Sequence, residues 1–156
     1  MSEVPSIGLS AVADSYGDDV KKLAVIVTRG AYNNILQACE FARVAATSGT
    51  QVTMFFRDEA ALRMSVSKAN ELALSDAYRG RESRVRELLR ERKQQDLPVL
   101  LRELKERGDV KLSVCRDSLK LFEVPVDHVI SELDEVQEAD AFWKEAVVSA
   151  DHILTF

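Results

Sequence analysis

Leu23-Ala24-Val25-Ile26-Val27 is an unbroken apolar run that offers water no polar face. A strand with one wet face alternates apolar and polar residues. One that does not alternate is buried on both faces, as in a parallel sheet covered by helices. The turn that follows, Thr28-Arg29-Gly30-Ala31-Tyr32-Asn33-Asn34, is rich in helix-capping residues. Ile35, Ala38, Cys39, Ala42, Ala45 and Ala46 then share one helical stripe to about Ser48, which places Cys39 in a core, and Gly49 stands where helices end. Val52-Thr53-Met54-Phe55-Phe56 reads as a second strand. Strand, helix and strand at this spacing form a right-handed parallel unit.

The next strand signal is Val110-Lys111-Leu112-Ser113-Val114. Between the two, the spacing predicts one helix through Ala61, Leu62, Val66, Ala69, Leu72 and Ala73, a second at Val85, Leu88 and Leu89, and a third entered at Pro98 and closed by Gly108. This block, about residues 60–107, is longer than an ordinary crossover. It reads as an inserted helical hairpin and a candidate lid over the site described below. After Cys115 a short helix is expected from about Ser118 to Val124, with Asp117 or Ser118 as its cap and Pro125 as its stop. Val129-Ile130 and Glu135-Val136-Gln137 compete for the fourth strand. Ala139, Phe142, Trp143, Ala146, Val147 and Ala150 recur at helical spacing, with both aromatics assigned by default to the core and a subunit contact as the alternative, and His152–Phe156 is a last strand. The expected fold is a three-layer α/β/α sandwich around a mostly parallel five-stranded sheet. It forms a single domain over 21–156, preceded by a loose arm over 1–20.

The net charge of −5 argues against general affinity for nucleic acid. Basic residues outnumber acids between Arg79 and Arg107, whereas Lys144 is the only lysine or arginine from Leu121 onward. The alternation Arg81-Glu82, Arg86-Glu87, Arg90-Glu91 favours a solvated helix face over an anion-binding surface. The first twenty residues carry Glu3, Asp14, Asp18 and Asp19 around no long apolar core, and no apolar run reaches membrane-spanning length. A cytoplasmic protein is expected.

Cys115 is the residue that most invites chemistry. It stands at a strand exit and a helix entrance, where unpaired N–H groups and the dipole favour an anion. The thiolate is the nucleophilic form of cysteine. In open parallel sheets ligands bind beyond the C-terminal strand ends, and both the Thr28–Asn34 turn and the Cys115–Ser118 corner lie at that edge. Cys115 is therefore the candidate catalytic residue, with Arg116, Ser118, Thr28, Gly30 and Asn33 as candidate substrate-binding residues. His128 and His152 read as structural and share no metal-ligand spacing with the cysteines. No Gly-x-Ser-x-Gly elbow or glycine-rich phosphate loop occurs, and no cofactor is expected.

Taken in order, Leu23–Asn34, the strand ending Phe55-Phe56, Pro98-Val99-Leu100-Leu101, Val110–Leu119 and Ala150–Leu154 resemble the DsrE/DsrF-like family of small sulfurtransferases. The likeness runs from about Lys22 to Phe156 and is nearest the subgroup with a helical insertion before the cysteine strand. In that subgroup a strand ends in cysteine with serine three residues later, as Cys115 and Ser118 stand here. The resemblance implies a persulfide carrier in which Cys115 takes a sulfane sulfur from a donor protein or small persulfide and passes it on. It also implies a homo-oligomer, a trimer or a pair of trimers, with cysteine sites near subunit contacts. Two departures stand out: Arg116-Asp117 replaces less polar residues, and no second cysteine lies nearby. They favour the alternative of a non-enzymatic binding or regulatory module on the same fold. A nucleotide or anion binder built on the Thr28–Asn34 turn is a third, weaker reading.

Overall fold

Strands β1 (Lys22–Val27), β2 (Gln51–Phe56), β3 (Val110–Cys115), β4 (Glu135–Gln137) and β5 (His152–Thr155) form one sheet in the order β4-β3-β2-β1-β5. Each pairing is parallel, so the sheet is wholly rather than mostly parallel. The computed structural model describes residues 20–156, and the arm expected over 1–20 lies almost wholly outside them. Helix α1 (Tyr32–Thr47) joins β1 to β2. Helices α2 (Glu59–Arg63), α3 (Glu82–Glu91) and α4 (Leu97–Arg107) join β2 to β3, and α5 (Arg116–Leu121) joins β3 to β4. Helix α6 (Ala139–Phe142) continues as a π turn over Trp143–Val147 and leads to β5.

This order decides which helix covers which face. From β1 to β4 the chain steps one strand at a time in one direction, then returns across the whole sheet to β5. Right-handed crossovers in opposite directions place their helices on opposite faces. The two apolar clusters follow that division. The larger holds Val25, Val27, Met54, Phe56, Leu112 and Val114 against Ile35, Ala38 and Ala42 of α1 and Leu97, Leu101 and Leu104 of α4. The smaller holds the alternate strand residues Ala24, Phe55 and Cys115 against Phe142, Ala146 and Val147. One face thus carries most of the stabilising burial, at about 1.5–3 kcal/mol per large side chain. The other is a thin layer under a single short helix.

Glycine closes two helices by different means. Gly49 takes φ +91, a left-handed cap that frees α1 to turn into β2. Gly108 has extended backbone, and a Cβ there would lie 2.7 Å from the carbonyl oxygen of Ala46. It permits the ends of α1 and α4 to meet.

Several expectations differ from the structure, and the open choice of a fourth strand is settled. The helix expected through Ala73 stops at Arg63. Arg63 donates to the carbonyls of Gly30 (2.9 Å), Lys68 (2.9 Å) and Glu71 (3.3 Å), and Ala73 gives its carbonyl to Tyr32 N–H. The carbonyls that a helix would use are committed elsewhere, so tertiary bonding overrides the period. The fourth strand is Glu135–Gln137, while Val129 forms only an isolated bridge with Ser65. Cys115 itself caps α5, with Asp117 and Ser118 inside the first turn, and the helix ends at Leu121, well before Pro125. Trp143 is 60% exposed because the π turn rotates it away from the sheet, whereas Phe142 stays buried.

The block before β3 does not cover Cys115. Its Leu89, Leu97, Leu101 and Leu104 pack into the larger cluster, on the opposite face of the sheet. Its polar side is a solvated surface with pairs such as Arg84–Glu87 at 2.8 Å. Among the described residues no helix is long and apolar enough to cross a membrane.

Candidate functional site

Cys115 ends β3 and begins α5, with the extended backbone of a helix cap (φ −74°, ψ 118°). Its side chain is only 1% exposed and belongs to the smaller cluster. On one flank it pairs in register with Gln137 of β4. On the other, the β2–β3 register pairs Phe55 with Ser113 and Phe56 with Val114, and its continuation past the end of β2 brings Arg57 level with Cys115. Alternation along the strand puts Arg57 on the face of Phe55 and Cys115. The Arg57 guanidinium accordingly lies 5.7 Å from the centroid of the Phe55 ring.

Aromatic rings roof this face. Phe142 stacks on Phe55 with centroids 4.5 Å apart and planes inclined by 23°. Gln137 donates to Glu145 on the π turn (3.2 Å), which ties the strand beside the thiol to the helix above it.

Ser118 is buried, and its hydroxyl accepts the N–H of Asp58 at 2.8 Å. Asp58 holds φ +50° and ψ −129°, a conformation that costs a non-glycine residue about 1–3 kcal/mol. Ser118 therefore positions the strained corner just after Arg57. Arg116, a candidate substrate-binding residue, extends toward Glu138, 3.6 Å away, with both side chains about half exposed.

The Thr28–Asn34 turn is a separate, self-satisfied structure, with β2 standing between it and β3. Thr28 donates through backbone and hydroxyl to the Phe156 carbonyl, and the Gly30 N–H faces Glu59 at 3.5 Å. The Asn33 side chain bonds Ser75 twice, at 3.1 and 2.9 Å. Gly30 is required by close approach, since a Cβ would come within 2.7 Å of the Glu59 carbonyl oxygen. The structure thus groups Cys115 and Ser118 at one corner, turns Arg116 outward, and places Thr28, Gly30 and Asn33 elsewhere on the edge.

Cys39 lies across the sheet in the larger cluster, so it cannot serve Cys115 as a resolving thiol; both cysteines are free. Burial, and to a lesser degree Glu40, pushes the Cys39 thiol up to about 12, which keeps it protonated and inert near neutrality. Among the described residues no three histidine, cysteine or acidic side chains cluster as metal ligands.

Arg57, Phe55 and Phe142 are the site residues that sequence reading missed. Phe55 and Arg57 flank the end of a recognisable strand, but only the β2–β3 register brings them to Cys115.

No curated protein sequence matches the chain. Its fold is similar to that of a solved protein of unknown function from Methanobacterium thermoautotrophicum, with a TM-score of 0.59 over 87% of this chain and 99% of that one. The two are 9% identical, so this likeness is one of fold. The DsrE/DsrF-like family profile matches residues 21–156, and the chain belongs to that family.

Proposed function

We propose that this protein is a sulfur-relay component in which Cys115 carries a persulfide. The observation that supports the reading best is the position of Cys115 at the C-terminal end of β3 and the cap of α5, in a chain of this family. The Cys115 thiolate attacks the outer sulfur of a donor persulfide, R–S–S⁻. A new S–S bond forms, the donor's S–S bond breaks, and R–S⁻ leaves with the electron pair. Cys115–S–S⁻ then delivers its outer sulfur to an acceptor thiolate by the same exchange, so no external oxidant is needed. Ser118 holds the corner beside the thiol. The working unit is a trimer or a pair of trimers, and donor and acceptor are proteins or small persulfides.

Intact-mass measurement after incubation with a persulfide donor tests this. Wild type gains the mass of one sulfur, and Cys115→Ser gains none. Equal loading of the two proteins, or no loading of wild type, overturns the reading.

The burial of Cys115, together with Cys39 standing on the other face, favours one alternative: a binding or regulatory module that uses the fold without sulfur chemistry. Normal sulfur transfer in cells carrying Cys115→Ala would select it.

A further inference from the structure

We propose that Arg57 is the anion-holding group of the Cys115 site and makes the site select negatively charged sulfur species over neutral ones. The proposal rests on Cys115 being the functional thiol, and it adds a residue and a ligand class to that reading.

Continuing the β2–β3 register one step past the Phe56–Val114 pair, where β2 ends, brings Arg57 level with Cys115. Neighbouring strands lie about 4.8 Å apart, so a guanidinium on the same face is within reach of the thiol and of a sulfur bonded to it. The 5.7 Å approach to the Phe55 ring places the guanidinium on that face. Arg57 Nε is buried, and it meets no hydrogen-bond acceptor among the described residues. Buried N–H groups nearly always have a partner, and a guanidinium is a strong, fixed donor to anions. An aromatic face neutralises such a cation only in part.

The surrounding charges leave Arg57 available. On α5, Arg116 faces Glu138, and Asp117 is exposed to water. On the π turn, Glu145 is held by Gln137 and lies 3.9 Å from Lys111, which also pairs with Glu135 at 2.7 Å. Asp58, next in the chain, is exposed, and its backbone N–H is fixed by Ser118. Among the described residues Arg57 forms no ion pair. A persulfide is an anion at neutral pH, as are small sulfur oxyanions. A cation beside the acceptor thiol therefore attracts the donor and holds the charged product.

Two alkylating reagents of similar size but different charge test the proposal without sulfur transfer. Native protein is treated with iodoacetate or iodoacetamide, and modification of Cys115 is followed by peptide mass. The measured quantity is the ratio of the two rates, with glutathione as the reference thiol. Wild type is expected to favour iodoacetate several-fold more than glutathione does. Arg57→Met should bring the ratio to the reference, and Arg57→Lys should keep most of it. A loss of packing alone would change both rates together and leave the ratio unmoved. A wild-type ratio no higher than that of glutathione overturns the proposal, whether or not the Arg57 variants fold. So does an equal ratio in wild type and Arg57→Met, or no reaction of native Cys115 with either reagent. Sulfur loading with no Arg57-dependent ratio sinks this inference and leaves the persulfide reading standing; the converse result does the opposite.

Discussion

Phe142 stacks on Phe55 at 4.5 Å, within the cluster that holds Cys115. The thiol proposed to exchange sulfur is 1% exposed and shares its cluster with a ring borne by a short helix, so that ring is the candidate cover. Helix α6 has only four residues before its hydrogen bonding shifts to the π pattern, a geometry often found at functional sites.

Phe142→Ala should raise the alkylation rate of native Cys115 several-fold. The substitution removes a buried aromatic and should cost about 3–5 kcal/mol of stability. Alkylation is therefore measured well below the variant's melting temperature, with circular dichroism confirming the fold. An unchanged rate in the folded variant would show that Phe142 is not the cover. Shortening Ala77–Gln95 should leave the rate unchanged, because that block packs against the other face.

Ser118→Ala should destabilise the protein by about 1–3 kcal/mol, since the Asp58 N–H loses its partner at a part-buried corner. Asp58→Gly should stabilise by about 1 kcal/mol by relieving the positive φ, provided the added backbone freedom of the unfolded chain does not offset the gain. In the double variant glycine should recover part of the loss. Chemical denaturation of the four proteins reads both effects. A Ser118→Ala protein as stable as wild type would remove the positioning role.

The sheet was legible because Leu23–Val27 is a continuous apolar run, Val52–Phe56 is broken only by Thr53, and Val110–Val114 alternates apolar with polar residues. Local pattern also located Cys115 and Ser118. Three features were hidden. Arg57 reaches the site through the pairing of β2 with β3, a relation between residues about sixty apart. The face that each helix covers follows from strand order, which separated the helical block from Cys115. Trp143 keeps the helical spacing of a core residue, yet the π turn adds one residue per turn and swings it outward.

Stability should fall as pH rises through the alkaline range. Burial pushes the Cys39 thiol up to about 12 in the fold from its ordinary 9.0. Tyr32 is pushed upward from 10.0, chiefly by burial, while its hydroxyl donates to the Gln94 carbonyl at 2.6 Å. Between these unfolded and folded values the unfolded chain has released protons that the folded chain still binds. Unfolding then binds fewer protons, so its free energy drops with each step up in pH. The contribution is complete below about pH 9 and is lost toward pH 12 and above. Thermal melts across this window should show a shallower decline for Cys39→Ala and Tyr32→Phe than for wild type. Tyr32→Phe should also lose about 1 kcal/mol near neutrality with its hydrogen bond. Parallel curves for all three proteins would refute the assignment.

Light scattering at micromolar concentration and moderate salt should give the mass of a trimer or of two trimers. The apolar stripes of α3 and α4 do not support this, because they are spent on the chain's own sheet. The support comes from the opposite face. Trp143 is 60% exposed and Val148 67%, and the π-type bond from Val148 N–H to the Trp143 carbonyl brings the two residues to one side of the turn. Ile153, 47% exposed, lies on edge strand β5, whose outer side pairs with no other strand among the described residues. An apolar surface beside an open edge is what a subunit contact covers. Trp143→Glu should therefore lower the mass while leaving the circular dichroism spectrum unchanged. A wild-type protein that runs as a monomer rules the assembly out, and a Trp143→Glu protein of undiminished mass moves the contact away from this face.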